Sequence, residues 1–351
     1  MRLRIQSVAT LLLILFLCKV GMSAKEDNKS EPYNYFHEDV GLNDEQIQSI
    51  SNGKALAKIV DTGSADQILV FGAVHIDSTP EKYLKFGSDI DALRKLPSYL
   101  AIRKFSNPPV LSDLDSFTLD EEDVKQLKDC KPGHCEIQLP AESMDEFRKS
   151  VNWSAPDAAD QANLVARKMA LDAILQYQQG GNAALGTYRD KNHPAAVAET
   201  FESLLSRSKA LPVYLPDLNN YLLQYPSANS ANIQSEFYWE KVNFGLKPTL
   251  RMVQAIVYRG TVPTKPAYAI AIKQLYSSHY FEAALDLTVC LNDTGKADRP
   301  GFFLITLKSS QQAGLTGLKG GIVRKVAVDK TRSSLERALA SIKQKLETPT
   351  S

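Results

Sequence analysis

The chain has 351 residues, enough for one large domain or two modest ones. Hydrophobic content of 44% and charged content of 23% are those of an ordinary soluble globular protein. The formal charge is +1 and Lys and Arg are spread along the chain, which removes the electrostatic case for a nucleic-acid partner.

The first segment, 1–24, has the layout of a secretory signal peptide. "MRLR" supplies a positive start, "VATLLLILFL" an apolar run and "GMSA" a small-residue end, with cleavage after Ser23 or Ala24. The run is about half of the ~20 residues needed to cross a bilayer, so no stable membrane span is expected after cleavage. Leu15-Phe16-Leu17-Cys18 loosely resembles a lipobox, but Leu17 stands where that motif carries a small residue. The expected location is the periplasm or the secreted space. Polar residues 25–40 read as a disordered lead-in to a domain over 41–351.

"LNDEQIQSISNGKALAKIV" predicts a helix opened by Asn43 and interrupted at Gly53. "DQILVFGAVHID" predicts a strand with Ile68, Val70, Gly72, Val74 and Ile76 on one side. Asp77-Ser78-Thr79-Pro80 then caps the helix "EKYLKFGSDIDALRKL". "AIRKFSNPPV" continues as an extended piece with a Pro-Pro break, and "LSDLDSFTLDEEDVKQLKDC" as a short acidic helix.

In "CKPGHC" the Pro132-Gly133 turn folds Cys130 towards Cys135, which predicts a local disulfide in an oxidising compartment. His134 leaves zinc open as an alternative, although no second ligand cluster accompanies it. Cys290 reads as a buried free thiol.

Residues 143–226 read as helical. Ser143 and Glu146 have capping-box spacing, and a long helix from Pro156 stops at Gly180-Gly181 with Val165, Met169, Ala173 and Tyr177 on one stripe. Two shorter helices follow in "PAAVAETFESLLSRSKA" and "PDLNNYLLQYP". From Gln234 the period changes to two. "SEFYWEKVNFG", "TLRMVQAIVYRG", "YAIAIKQLYSSHYFEAALDLTVCLND" and "GFFLITLKSSQ" form an antiparallel meander with one core face and one mixed face. "KADRPG" is the turn before the last strand and "GLTGLKGG" a flexible hinge. "RSSLERALASIKQKLE" closes the chain as an amphipathic helix, with Leu335, Ala338, Leu339, Ile342 and Leu346 on one stripe. Asn28, Asn152 and Asn292 head glycosylation sequons.

The order of elements resembles the START-like helix-grip superfamily. The resemblance rests on "ILVFGAVHIDSTPEKYLKF" at one end and, at the other, on the strands just quoted and "LKGGIVRKVAVDKTRSSLERALASIKQKLE". It covers about half of the mature chain and carries no signature residues. It implies an α+β fold in which a curved antiparallel sheet grips a long C-terminal helix, with 143–226 as a helical insertion. It also implies a hydrophobic small molecule or lipid held between sheet and helix.

Arg251, Gln254, Tyr258, Tyr268, Gln274, Tyr276, His279 and Tyr280 are the polar groups that could line such a cavity. The "SSHY" join holding Ser277, Ser278 and His279 reads as a solvated hairpin turn. A different reading makes the protein an enzyme working through His75, Asp77 or His279. A Ser-His-acid triad from Ser277 or Ser278, His279 and Asp77 lacks the nucleophile-elbow sequence. A third reading is an exported interaction protein without ligand. No signature assigns a catalytic residue, metal or cofactor.

Overall fold

A capping box opens the first helix, α1 (Asp44–Ser51): Asn43 Oδ1 accepts the Gln46 N–H, and Gln46 Oε1 accepts the Asn43 N–H. The structure, a computed structural model, describes residues 32–87, 89–95, 98–208, 210–228, 230–244, 247–262, 265–293, 301–312 and 317–348. The segment 1–24 with Cys18, read as a signal peptide, the Asn28 sequon and most of "KADRPG", read as a turn, lie outside them.

Two expectations fail around α1. Residues 32–40, read as a disordered lead-in, fold back over the sheet, and fully buried Phe36 meets Phe71 and Phe303 edge-on. Three aromatic residues between 33 and 36 outweigh the polar composition around them. The helix ends at Ser51 and Gly53 interrupts it as expected, turning the chain at φ +83°, but the apolar run beyond it, read as more helix, becomes strand β1 (Leu56–Val60).

Strand β2 (Gln67–Ile76) follows, then α2 (Pro80–Gly87) and α3 (Ile90–Arg94) in place of one expected helix. Asp89 restarts the helix by accepting the Asp91 N–H. β3 (Tyr99–Lys104) and α4 (Glu121–Leu127) lead to α5 (Ala141–Ser150). α5 begins after Pro140, so Ser143 lies inside it and forms no capping box. α6 (Ala158–Gly180) ends where Gly181 adopts φ +57°. A Cβ there would lie 1.7 Å from the Tyr225 carbonyl oxygen, so only glycine fits. The short pair β4 (Thr187–Tyr188) and β5 (Ala195–Ala196) precedes α7 (Val197–Ser206), α8 (Ala210–Tyr214) and α9 (Pro216–Gln224).

The meander forms as its alternation predicts: β6 (Ile233–Val242), β7 (Thr249–Val262), β8 (Lys265–Ser277), β9 (Phe281–Asp293) and β10 (Gly301–Gln312). The last helix, α10 (Gly317–Glu347), starts earlier than expected, so the glycines expected to form a hinge make its first turns from Gly317. Eight strands make one antiparallel sheet in the order β1-β2-β10-β9-β8-β7-β6-β3.

Both faces of this sheet are covered. On one, α10 sets Val328, Leu335, Leu339 and Leu346 against Val70, Val74, Phe302 and Leu304. Each such side chain contributes roughly 2 kcal/mol by burial. The approach is close: a Cβ on Gly72 would come within 2.8 Å of both Leu335 and Leu339. The end of α10 is pinned to the end of β2, where Glu347 accepts the Asp77 N–H (2.7 Å) and Lys343 Nζ donates to the His75 carbonyl (3.1 Å).

On the other face, Phe71, Phe303, Leu287 and Ile256 pack beneath α1, α7 and α9. Further along the same face of β7, Met252 and Leu250 join Trp239 and Phe237 beneath α4, α5 and α6. The buried stripe of α6 is Ala162, Ala166, Ala170, Ile174 and Tyr177, with Val165 beside it. Met169 and Ala173, expected on that stripe, sit at its more exposed edge. Among the described residues no helix is long and apolar enough to cross a membrane.

Candidate functional site

The helices over 143–226 bridge the sheet without filling the space beneath them. An apolar cavity of about 310 Å³ lies between α5, α6 and the strands β7 and β8, with Phe147, Ala170, Ile174, Met252 and Leu275 in its walls. That volume falls at the small end of ligand pockets. Exposed Glu142, Ala173 and Gln176 mark its mouth between α5 and α6. The cavity lies across the sheet from α10, whereas the sequence reading placed the hollow beside that helix.

Three tyrosines line it: Tyr177, Tyr188 and Tyr276. Tyr276 arrives there through a β-bulge. Met252 pairs with Tyr276 while Val253 pairs with Gln274, so Leu275 is an extra residue. The Tyr188 and Tyr276 rings meet edge-on with centroids 6.2 Å apart. Burial holds the Tyr276 phenol well above its usual pKa, helped by Tyr188 and by the Asp123 and Asp190 carboxylates. The Tyr188 hydroxyl accepts the Ser277 N–H at 3.0 Å.

Next to the cavity a buried polar network joins α6 to the sheet. Lys273 Nζ donates to the Tyr177 hydroxyl (3.0 Å) and to Asn182 Oδ1. Tyr177 donates to Gln254 Oε1 (2.8 Å), and Gln254 Nε2 donates to the Tyr221 and Ser235 hydroxyls. Asn182 in turn donates to the Leu222 and Leu223 carbonyls. Burial alone pushes the Lys273 amine down to about 7. The sequence reading found Gln254 and missed Lys273. The missed signal was parity, since Lys273 continues the face of Ala267, Ala269 and Ala271, all core residues.

The "SSHY" join is not a solvated turn. Ser277, Ser278 and His279 are buried because the disulfide loop and α4 dock on them. His279 Nδ1 lies 3.1 Å from the Glu136 carbonyl oxygen and Nε2 3.1 Å from Asp123 Oδ2. Both ring nitrogens therefore face acceptors. Lys247 Nζ holds the other Asp123 oxygen at 2.5 Å. Burial pushes the Asp123 carboxyl up, but the His279 and Lys247 hydrogen bonds outweigh it and leave its pKa lowered. Cys130 and Cys135 are joined as a disulfide, which commits both sulfurs and brings Glu136 under the hairpin. Buried Cys290 is free.

The hydroxyls beside His279 are spent on backbone. Ser277 Oγ donates to the His279 carbonyl (2.8 Å), and Ser278 Oγ accepts the Leu250 N–H (3.0 Å). The acid at His279 is Asp123, so the triad with Asp77 is not assembled. His75 sits between Asp77 (3.4 Å) and Asp293 (3.1 Å), edge-on to Phe303. Among the described residues no group of three His, Cys, Asp or Glu side chains could hold a metal ion.

Of the eight residues expected to line a cavity, only Tyr276 lines this one. Arg251 points to the opposite face and pairs with Glu240 at 3.2 Å. Tyr268 also lies on that face, where its hydroxyl donates to Glu81 (2.8 Å). Tyr258 is buried in the core on the face away from α10, and the Gln274 amide donates to the Phe281 carbonyl. Tyr280 takes φ +67° and its hydroxyl accepts the Lys247 N–H. A more polar depression of about 520 Å³ runs beside β3, where Lys104 and Glu236 pair across it. Comparison with known proteins finds no family model that matches the chain and no curated protein that matches it significantly.

Proposed function

We propose that the protein is an exported binding or carrier protein for a small hydrophobic molecule, held between α5–α6 and the sheet. The observation that carries this reading is the cavity itself: largely apolar walls, three tyrosines among the lining residues and a mouth between two helices. Native interiors are otherwise close-packed, so a recess of this size is retained at a cost in stability that a ligand offsets. The disulfide supports export, because such bonds persist in oxidising compartments. A helical lid over the strands and a long helix across the other face support a variant of the helix-grip plan. In this variant the inserted segment 143–226, and not the C-terminal helix, encloses the ligand.

The test is titration with the neutral apolar dye N-phenyl-1-naphthylamine, whose fluorescence rises in a dry site. One dye per chain is expected. Ala173→Phe, at the exposed rim, should abolish binding while leaving the melting temperature unchanged. No fluorescence gain with the native chain, or equal binding by the variant, would refute the reading.

A further inference from the structure

Resting on the cavity reading just given, we infer that the site selects an uncharged apolar molecule bearing one carbonyl group, whose oxygen docks on the hydroxyls of Tyr276 and Tyr188.

Both phenols line the cavity and their rings touch edge-on. The Tyr188 oxygen accepts the Ser277 N–H, which fixes the hydroxyl and leaves its proton unspent among the described residues. The Tyr276 hydroxyl makes no hydrogen bond among the described residues. Neighbouring phenols thus bring O–H donors to an apolar recess, and neither O–H is donated among the described residues, so a ligand that carries an acceptor gains bonds there that a hydrocarbon does not. A carbonyl oxygen has two lone pairs and takes both donors at once.

Charge decides against an acid. The charged residues lining the cavity are Glu142 and Asp172, both carboxylates. Asp123 and Asp190 lie close enough to Tyr276 to raise its pKa, and an anionic head group would meet the same field. Fatty carboxylates and phosphates are thereby disfavoured, while a ketone, ester or lactone meets no such repulsion.

Three eight-carbon competitors test the idea by displacing the dye: 2-octanone, octane and octanoate. The ketone should compete about tenfold more strongly than the alkane, with octanoate weaker than the ketone. Tyr276→Phe removes a hydroxyl that supports no hydrogen bond among the described residues, so it should melt like the native chain. It should remove the ketone's advantage and leave octane unchanged. Tyr188→Phe should act in the same direction. Equal competition by ketone and alkane, or a ketone advantage that survives Tyr276→Phe, overturns the carbonyl inference and leaves the cavity reading standing. Failure of all three to displace a bound dye also overturns the carbonyl inference, whereas failure of the dye to bind takes both down.

Discussion

Lys273 Nζ lies 4.2 Å from the centroid of the Phe201 ring, inside the core. Among the described residues no carboxylate bonds it; its partners are the Tyr177 hydroxyl, Asn182 Oδ1 and aromatic faces. Its folded pKa of about 7 is below the ordinary lysine value, so the unfolded chain holds the extra proton between the two. Stability therefore rises with pH above about 7, by at most about 1.4 kcal/mol per pH unit. Above roughly pH 8.5 the free Cys290 thiol, raised by burial, works the other way. Urea midpoints between pH 7 and 8.5 should climb in the native chain and stay flat in Lys273→Met.

Asp123 has the opposite sign. Its carboxyl lies below the usual range when folded, so its contribution is complete above about pH 4 and is lost as pH falls through the folded value. Asp123→Asn leaves buried His279 and half-buried Lys247 without their anion. Chemical denaturation at pH 7 should show a loss of about 3 kcal/mol, shrinking as pH drops below 4.

The disulfide closes a short loop, with a sequence separation of only five. Reduction should therefore cost about 2 kcal/mol, measured as the shift in urea midpoint on adding a reductant. The double variant Cys130→Ser, Cys135→Ser should reproduce that loss and no longer respond to the reductant.

Gly181→Ala meets both a left-handed backbone and the Tyr225 carbonyl. A loss of at least about 3 kcal/mol is expected. Thermal melts compared with Gly63→Ala, where φ is also positive (+68°) but the Cβ position is open, separate the clash from the strain.

The strands and the closing helix were legible because period-two and period-3.6 patterns are local. Leu335, Leu339 and Leu346 were readable as a buried stripe before their partners were known. The site was not local. Strict alternation put Tyr276 on the side of Tyr268, and only the bulge at Leu275 carries it to the cavity. Polar "SSHY" looked solvated because nothing in its own sequence shows that Asp123 and Glu136 arrive over it from more than 140 residues away. Lys273 was legible in principle, as a charge directly following Ala267, Ala269 and Ala271 on one strand face.

Crystals soaked in 1-bromooctane and measured at the bromine edge locate the apolar molecule proposed to sit between α6 and the sheet. One anomalous peak is expected within the space bounded by Ala170, Ile174 and Tyr276. A peak between α10 and β2 instead, or bromine on no part of the interior, contradicts the proposed site.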